Sequence, residues 1–143
     1  MSTPRAELAS ANQAPQSASL AFGGNIIPVN TSTTSTEEYD GSSWTSGGAL
    51  NTSRFGLGGG GTQTAAIAMT GRNSPPNTIV TNTELYDGTS WTNSTAVGTG
   101  KGQTAGGGTS TAGIVFGGSS PSVTNATEEF TGAALGTKTV TTS

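Results

Sequence analysis

Apolar residues along this chain come in short clusters, separated by long polar and glycine-rich stretches, and the clusters recur. The run Thr64 to Met69 is long enough for a buried strand and too short for a helix. After it, Gly71 and the loop Arg72 to Thr78, which contains Pro75 and Pro76, break the chain. Ile79 to Tyr86 is rich in β-branched residues and reads as the next strand, and Asp87-Gly88 is a hairpin signal ahead of a further strand over Ser90 to Val97. A glycine-rich segment, Asn51 to Gly61, precedes all of these. Nowhere does a helical period with caps appear. The pattern predicts units of four short strands.

The unit repeats. Glu84 to Trp91 (Glu-Leu-Tyr-Asp-Gly-Thr-Ser-Trp) restates Glu37 to Trp44 (Glu-Glu-Tyr-Asp-Gly-Ser-Ser-Trp) at an offset of 47. Leu20-Ala21-Phe22-Gly23-Gly24 recurs as Ile67-Ala68-Met69-Thr70-Gly71 and as Ile114-Val115-Phe116-Gly117-Gly118, each step again 47. Arg54 to Thr64 matches Lys101 to Thr111 in the same register. The third copy is degenerate: Gly118 to Phe130 spans 12 residues where Gly24 to Tyr39 and Gly71 to Tyr86 span 15, Phe130 replaces Tyr, Thr131 replaces Asp, and Leu135 stands where Trp is expected. Terminal repeats are often atypical, because they meet something other than a sibling. Four strands at a period of roughly 40 to 50 residues is the arithmetic of a β-propeller blade. The reading is one repeat domain over 1–143, with blades at about 4–50, 51–97 and 98–143.

The residues also resemble a known family. A double glycine ending the second strand, a Tyr on the third and a Trp opening the fourth resemble the kelch repeat. The form Tyr-Asp-Gly-x-x-Trp is similar to kelch-like repeats in virion structural proteins of tailed phages. The resemblance runs from about Ser17 to about Leu135. It departs from the kelch pattern in the short Tyr-to-Trp spacing, in Thr70-Gly71 for the double glycine, and in the missing third Trp. It implies an all-β, kelch-like propeller and a place in the virion.

In such an architecture the recurring large side chains, Phe22, Met69 and Phe116 with Tyr39, Tyr86, Phe130, Trp44, Trp91 and Leu135, pack between neighbouring blades. The alternative for Trp44 and Trp91 is a sugar-stacking platform. Gly24, Gly71 and Gly118 mark the strand ends, and the glycine runs suit strands crowded near an axis better than a phosphate cradle, since no Gly-Lys-Ser/Thr ending or helix follows. Glu37, Glu84 and Glu128 share one repeat position and one strand face with the aromatics. A carboxylate on a packing face needs partners, and the candidates are backbone amides of the glycine strand or Arg54 and Lys101, which occupy equivalent positions. Asp40 and Asp87 read as turn residues, with too few oxygens around them for a calcium site.

Composition then narrows the chemistry. Of 143 residues, 23 are Gly and only 9% are charged, and there is neither His nor Cys, which excludes His-based triads, disulfides and thiolate or zinc-ribbon sites. The five cations are scattered in a chain of net charge -3, so nucleic acid is not an expected partner. No apolar run approaches the roughly 20 residues of a membrane span, and Met1 to Leu20 shows no secretory signal. We therefore expect a soluble, non-enzymatic protein without catalytic, cofactor or metal residues. Three blades fall short of the roughly four to eight that close a ring, so homo-oligomerisation, with six blades as a dimer, or a junction with other virion proteins is expected. The functional expectation is a virion structural or attachment module on tail, fibre or capsid. The alternative is a glycan-binding module for host surfaces, using loop residues Asn25, Asn30, Arg72, Asn73 and Asn77.

Overall fold

A computed structural model describes residues 1–132 and 138–140. The described chain is all-β, with no helix, in sixteen short strands. The first four-stranded antiparallel sheet contains β1 (Ala9–Ser10), β2 (Ser19–Phe22), β5 (Thr36–Tyr39) and β6 (Trp44–Ser46), in that order. Between β2 and β5 the chain forms a two-stranded ribbon of β3 (Asn25–Ile26) and β4 (Thr31–Ser32). The second sheet repeats the plan with β7 (Gly58–Thr62), β8 (Ala65–Met69), β11 (Thr83–Tyr86) and β12 (Trp91–Ser94), and its ribbon is β9 (Arg72–Asn73) with β10 (Thr78–Ile79). The third sheet contains β13 (Ala105–Gly108), β14 (Ala112–Phe116), β15 (Thr127–Thr131) and β16 (Lys138–Val140). There the shortened loop keeps only a bridge between Ser119 and Val123.

Two details differ from the sequence reading. The span Ile79 to Tyr86 is not one strand: Ile79 belongs to the ribbon, and β11 begins at Thr83 after the backbone turns away at Val80, whose amide bonds to Gly71. The ribbon strands are two residues each and carry no alternation by which a sequence pattern could find them. The first strand of the first sheet also lies 49 residues before its counterpart, because Ala9 pairs with Phe22 where Gly58 pairs with Met69. The chain between these paired positions is thus two residues longer in the first sheet than in the second.

The sheets pack face to face in chain order. Leu20 and Phe22 on the first sheet meet Ala66, Ala68, Tyr86 and Trp91 on the second. Ile67, Met69 and Leu85, on the opposite face of the second, meet Val115 and Phe130 on the third. The period of two puts alternate residues of β8 into these two cores, which is why Ala65 to Met69 reads as a continuous apolar run. The first strands of the three sheets crowd together. A Cβ on Gly59 lies 2.9 Å from the Phe22 ring and 2.8 Å from the Ser10 carbonyl oxygen, and one on Gly106 lies 2.8 Å from the Gly58 Cα, so side chains are excluded there by backbone.

Candidate functional site

The repeated Glu positions anchor the segment that enters each sheet. Glu84 accepts hydrogen bonds from the Asn51 amide (2.6 Å), the Thr52 amide (3.1 Å) and the Asn51 side chain (3.0 Å), and pairs with Arg54 at 2.5 Å. Both side chains are fully buried. Arg54 also donates to the carbonyls of Asn82 (2.5 Å) and Thr70 (3.3 Å). Burial pushes the Arg54 guanidinium down to about 10 while Glu84 holds it up, so it stays protonated at neutral pH. In the third sheet Glu128 accepts from the Gly98 (2.6 Å) and Thr99 (3.1 Å) amides and pairs with Lys101 at 3.4 Å. In the first, Glu37 accepts from the Ser2 amide (2.6 Å) and hydroxyl (2.7 Å) and pairs with Arg5 at 3.1 Å. Burial opposes ionisation of Glu37, but the Ser2 bonds and Arg5 outweigh it and its pKa lies below the usual carboxylate range. Sequence reasoning named Arg54 and Lys101 as partners; it missed Arg5, whose spacing to its Glu is longer than in the other copies.

Entry segments also stitch neighbouring sheets. The Gly24 amide donates to the Arg54 carbonyl and the Gly71 amide to the Lys101 carbonyl, both at 2.8 Å. Thr70, standing where the other copies have the first glycine of the pair, keeps the left-handed backbone (φ 52°). Its buried hydroxyl compensates by accepting from the Lys101 amide at 2.6 Å and donating to a nearby carbonyl, Val80 or Lys101.

The aromatic positions divide into covered and uncovered sets. At the first junction Phe22 packs on Trp91 (centroids 4.8 Å), which packs on Tyr86 (4.9 Å). The Trp91 indole N–H donates to the Thr36 hydroxyl (2.9 Å) and the Tyr86 hydroxyl to the Glu38 carboxylate (2.5 Å). Burial first, and then the Glu38 hydrogen bond, push the Tyr86 phenol up to about 12. At the second junction Leu85, the counterpart of Glu38, packs against the apolar cluster that contains Phe130, the counterpart of Tyr86. Among the described residues, no sheet covers the equivalent positions at the two ends. Tyr39 and Trp44 stack on each other (5.1 Å) but are only half-buried, while Phe116 is 44% exposed, against 0% for Phe22 and Met69. Leu135 lies outside the described residues.

The turns and rim behave differently. Asp40 accepts from the Ser42 and Ser43 amides and Asp87 from the Thr89 and Ser90 amides, which holds both carboxyls below their usual range. Of the proposed loop residues, Asn25 is buried, Arg72 donates to the Ser119 hydroxyl (3.0 Å), and Asn73 donates to the Ser53 carbonyl and hydroxyl. Internal hydrogen bonds therefore engage Arg72 and Asn73, and burial withdraws Asn25 from the surface, while Asn30 and Asn77 sit exposed at loop tips. The two ribbons join through Ser32 and Ser74 (2.9 Å), making one continuous rim with Ile27 and Val29 exposed on it. Among the described residues no three Asp or Glu side chains gather as a metal site, and no helix is long and apolar enough to cross a membrane.

No protein-family model and no curated protein matches the sequence. Among solved structures the chain is similar to YjhT, with a TM-score of 0.79 at 13% identity over 98% of this chain and 46% of YjhT. The likeness is one of fold, and the chain spans just under half the length of that neighbour.

Proposed function

We propose that the chain is an arc of a kelch-like β-propeller serving as a non-enzymatic structural or attachment module of a tailed-phage virion. The observation that carries the non-enzymatic part is the use made of the acids. Glu37, Glu84 and Glu128 are each ion-paired and hydrogen-bonded to an entry segment, Glu38 holds Tyr86, and Asp40 and Asp87 build turns. Acid–base catalysis needs titratable groups set toward a substrate, commonly a close pair in unlike environments. Here the same carboxylate recurs once per sheet in the same role. The propeller reading is supported by three equivalent four-stranded sheets packed in series, with their first strands close together and those of the second and third sheets rich in glycine. The virion setting is supported by the Tyr-Asp-Gly-x-x-Trp resemblance.

Mass spectrometry of purified particles tests this reading: the protein is expected as a stoichiometric component, and its absence from particles overturns the assignment. A second reading, glycan attachment, draws on the continuous rim, where Asn30 and Asn77 are exposed beside Ile27 and Val29. Glycan-array binding that is lost in Asn30→Ala and Asn77→Ala variants supports it; an array without binding removes it.

A further inference from the structure

The two exposed end faces are complementary halves of the junction already present inside the chain. In repeat register, Phe116 is the counterpart of Phe22, Glu129 of Glu38 and Thr127 of Thr36, while Tyr39 and Trp44 are the counterparts of Tyr86 and Trp91. Inside the chain, Phe22 packs on Trp91, Glu38 accepts from Tyr86 and Thr36 accepts from Trp91. The polar residues vary together with the aromatic they face. Glu38 accepts from a phenol, whereas its counterpart Leu85 packs on the cluster that holds Phe130, which has no hydroxyl. The third sheet presents Glu129, so its matching neighbour carries Tyr, and the face that carries Tyr39 with Trp44 is the open end of the first sheet.

We infer that two copies of this chain join head to tail, Phe116, Thr127 and Glu129 of one packing on Tyr39 and Trp44 of the other, at two equivalent junctions. The backbone agrees. Gly24 and Gly71 donate to the Arg54 and Lys101 carbonyls, while the equivalent Gly118 amide and Arg5 carbonyl bond to no described residue and lie on opposite ends. Covering an exposed Phe and half-exposed Trp and Tyr supplies the apolar driving force, and the hydroxyl and indole bonds set orientation. Such a contact is heterologous: different surfaces meet, and the assembly is finite only where the rotation closes. The inference rests on the ring architecture proposed above and is independent of the virion role.

Sedimentation analysis of Phe116→Glu and Trp44→Glu, with circular dichroism to establish folding, tests it. The unaltered chain is expected at twice 14.0 kDa and each variant alone at 14.0 kDa. An equimolar mixture of the two variants recovers a dimer, because it contains one intact third-sheet end and one intact first-sheet end. Tyr39→Ser, on the same face, replaces Trp44→Glu where the latter does not fold. Glu129→Leu alone weakens dimerisation about tenfold or more by leaving the Tyr39 hydroxyl unpaired, and adding Tyr39→Phe restores it. A monomeric unaltered chain, a dimer that survives Trp44→Glu, or a mixture that stays monomeric each overturns the inference. These readouts are made in solution, so a dimer absent from particles removes only the virion reading.

Discussion

Trp91 and Trp44 occupy the same position in the repeat, within the same Tyr-Asp-Gly-x-x-Trp motif, yet one is buried beneath Phe22 and the other is half-exposed. The difference lies in the neighbour, since each pairs with its own Tyr across the same strand register. A repeat position therefore specifies a surface, and the next sheet decides whether that surface becomes core. In this chain the first junction is complete, and the two end faces hold its separated halves.

Substitutions on either side sharpen that contrast. Trp91→Ala is expected to cost about 4 kcal/mol by emptying the covered junction, whereas Trp44→Ala costs the isolated chain under about 1 kcal/mol; urea unfolding of dilute protein measures both. If Trp44→Ala proves as damaging as Trp91→Ala in a monomer, the two faces are not distinguished by cover. Glu84→Gln leaves the fully buried Arg54 charge unpaired and is expected to destabilise by about 3 kcal/mol in the same assay.

Tyr86→Phe removes a hydrogen bond to a carboxylate and is expected to cost about 1.5 kcal/mol, and Glu38→Leu in the same chain recovers most of that by copying the Leu85 and Phe130 pairing. Failure of the double variant to recover argues against the pairing rule. The pH dependence follows from the same phenol, through its burial first and then this bond. The folded Tyr86 pKa is raised from 10.0 to about 12, so its contribution is complete below pH 10 and is lost as pH rises through about 12. Comparing the alkaline melting profiles of the unaltered chain and Tyr86→Phe isolates that loss. The smallest change is expected for Asp87→Asn, an exposed turn whose geometry the amide oxygen still supports, read as a slight drop in melting temperature.

Much of the sheet plan was legible because each landmark performs a physical task that few residue types can perform. Gly59 and Gly106 sit where a Cβ meets backbone or a ring, and Glu84 on a packing face required a cation and amides that the Arg54 segment supplies. The ribbons were not legible, because Arg72–Asn73 and Thr78–Ile79 are too short for a period to register. Nor was the first strand's offset, since two residues added in the turn after β1 leave no mark in a Ser- and Ala-rich stretch. Residue type alone did not separate the loop residues: Asn25, Arg72 and Asn73 look like surface polar groups in the sequence, whereas Asn25 is buried and Arg72 and Asn73 are hydrogen-bonded within the chain.

Hydrogen exchange at three glycine amides tests the equivalence of covered and uncovered junctions most directly. Gly24 and Gly71 donate across junctions within the chain, and Gly118 is their counterpart at the open end. The account predicts that Gly24 and Gly71 are protected at every protein concentration, while protection of Gly118 rises with concentration until it approaches theirs. A Gly118 amide that exchanges freely at all concentrations, beside protected Gly24 and Gly71, contradicts it.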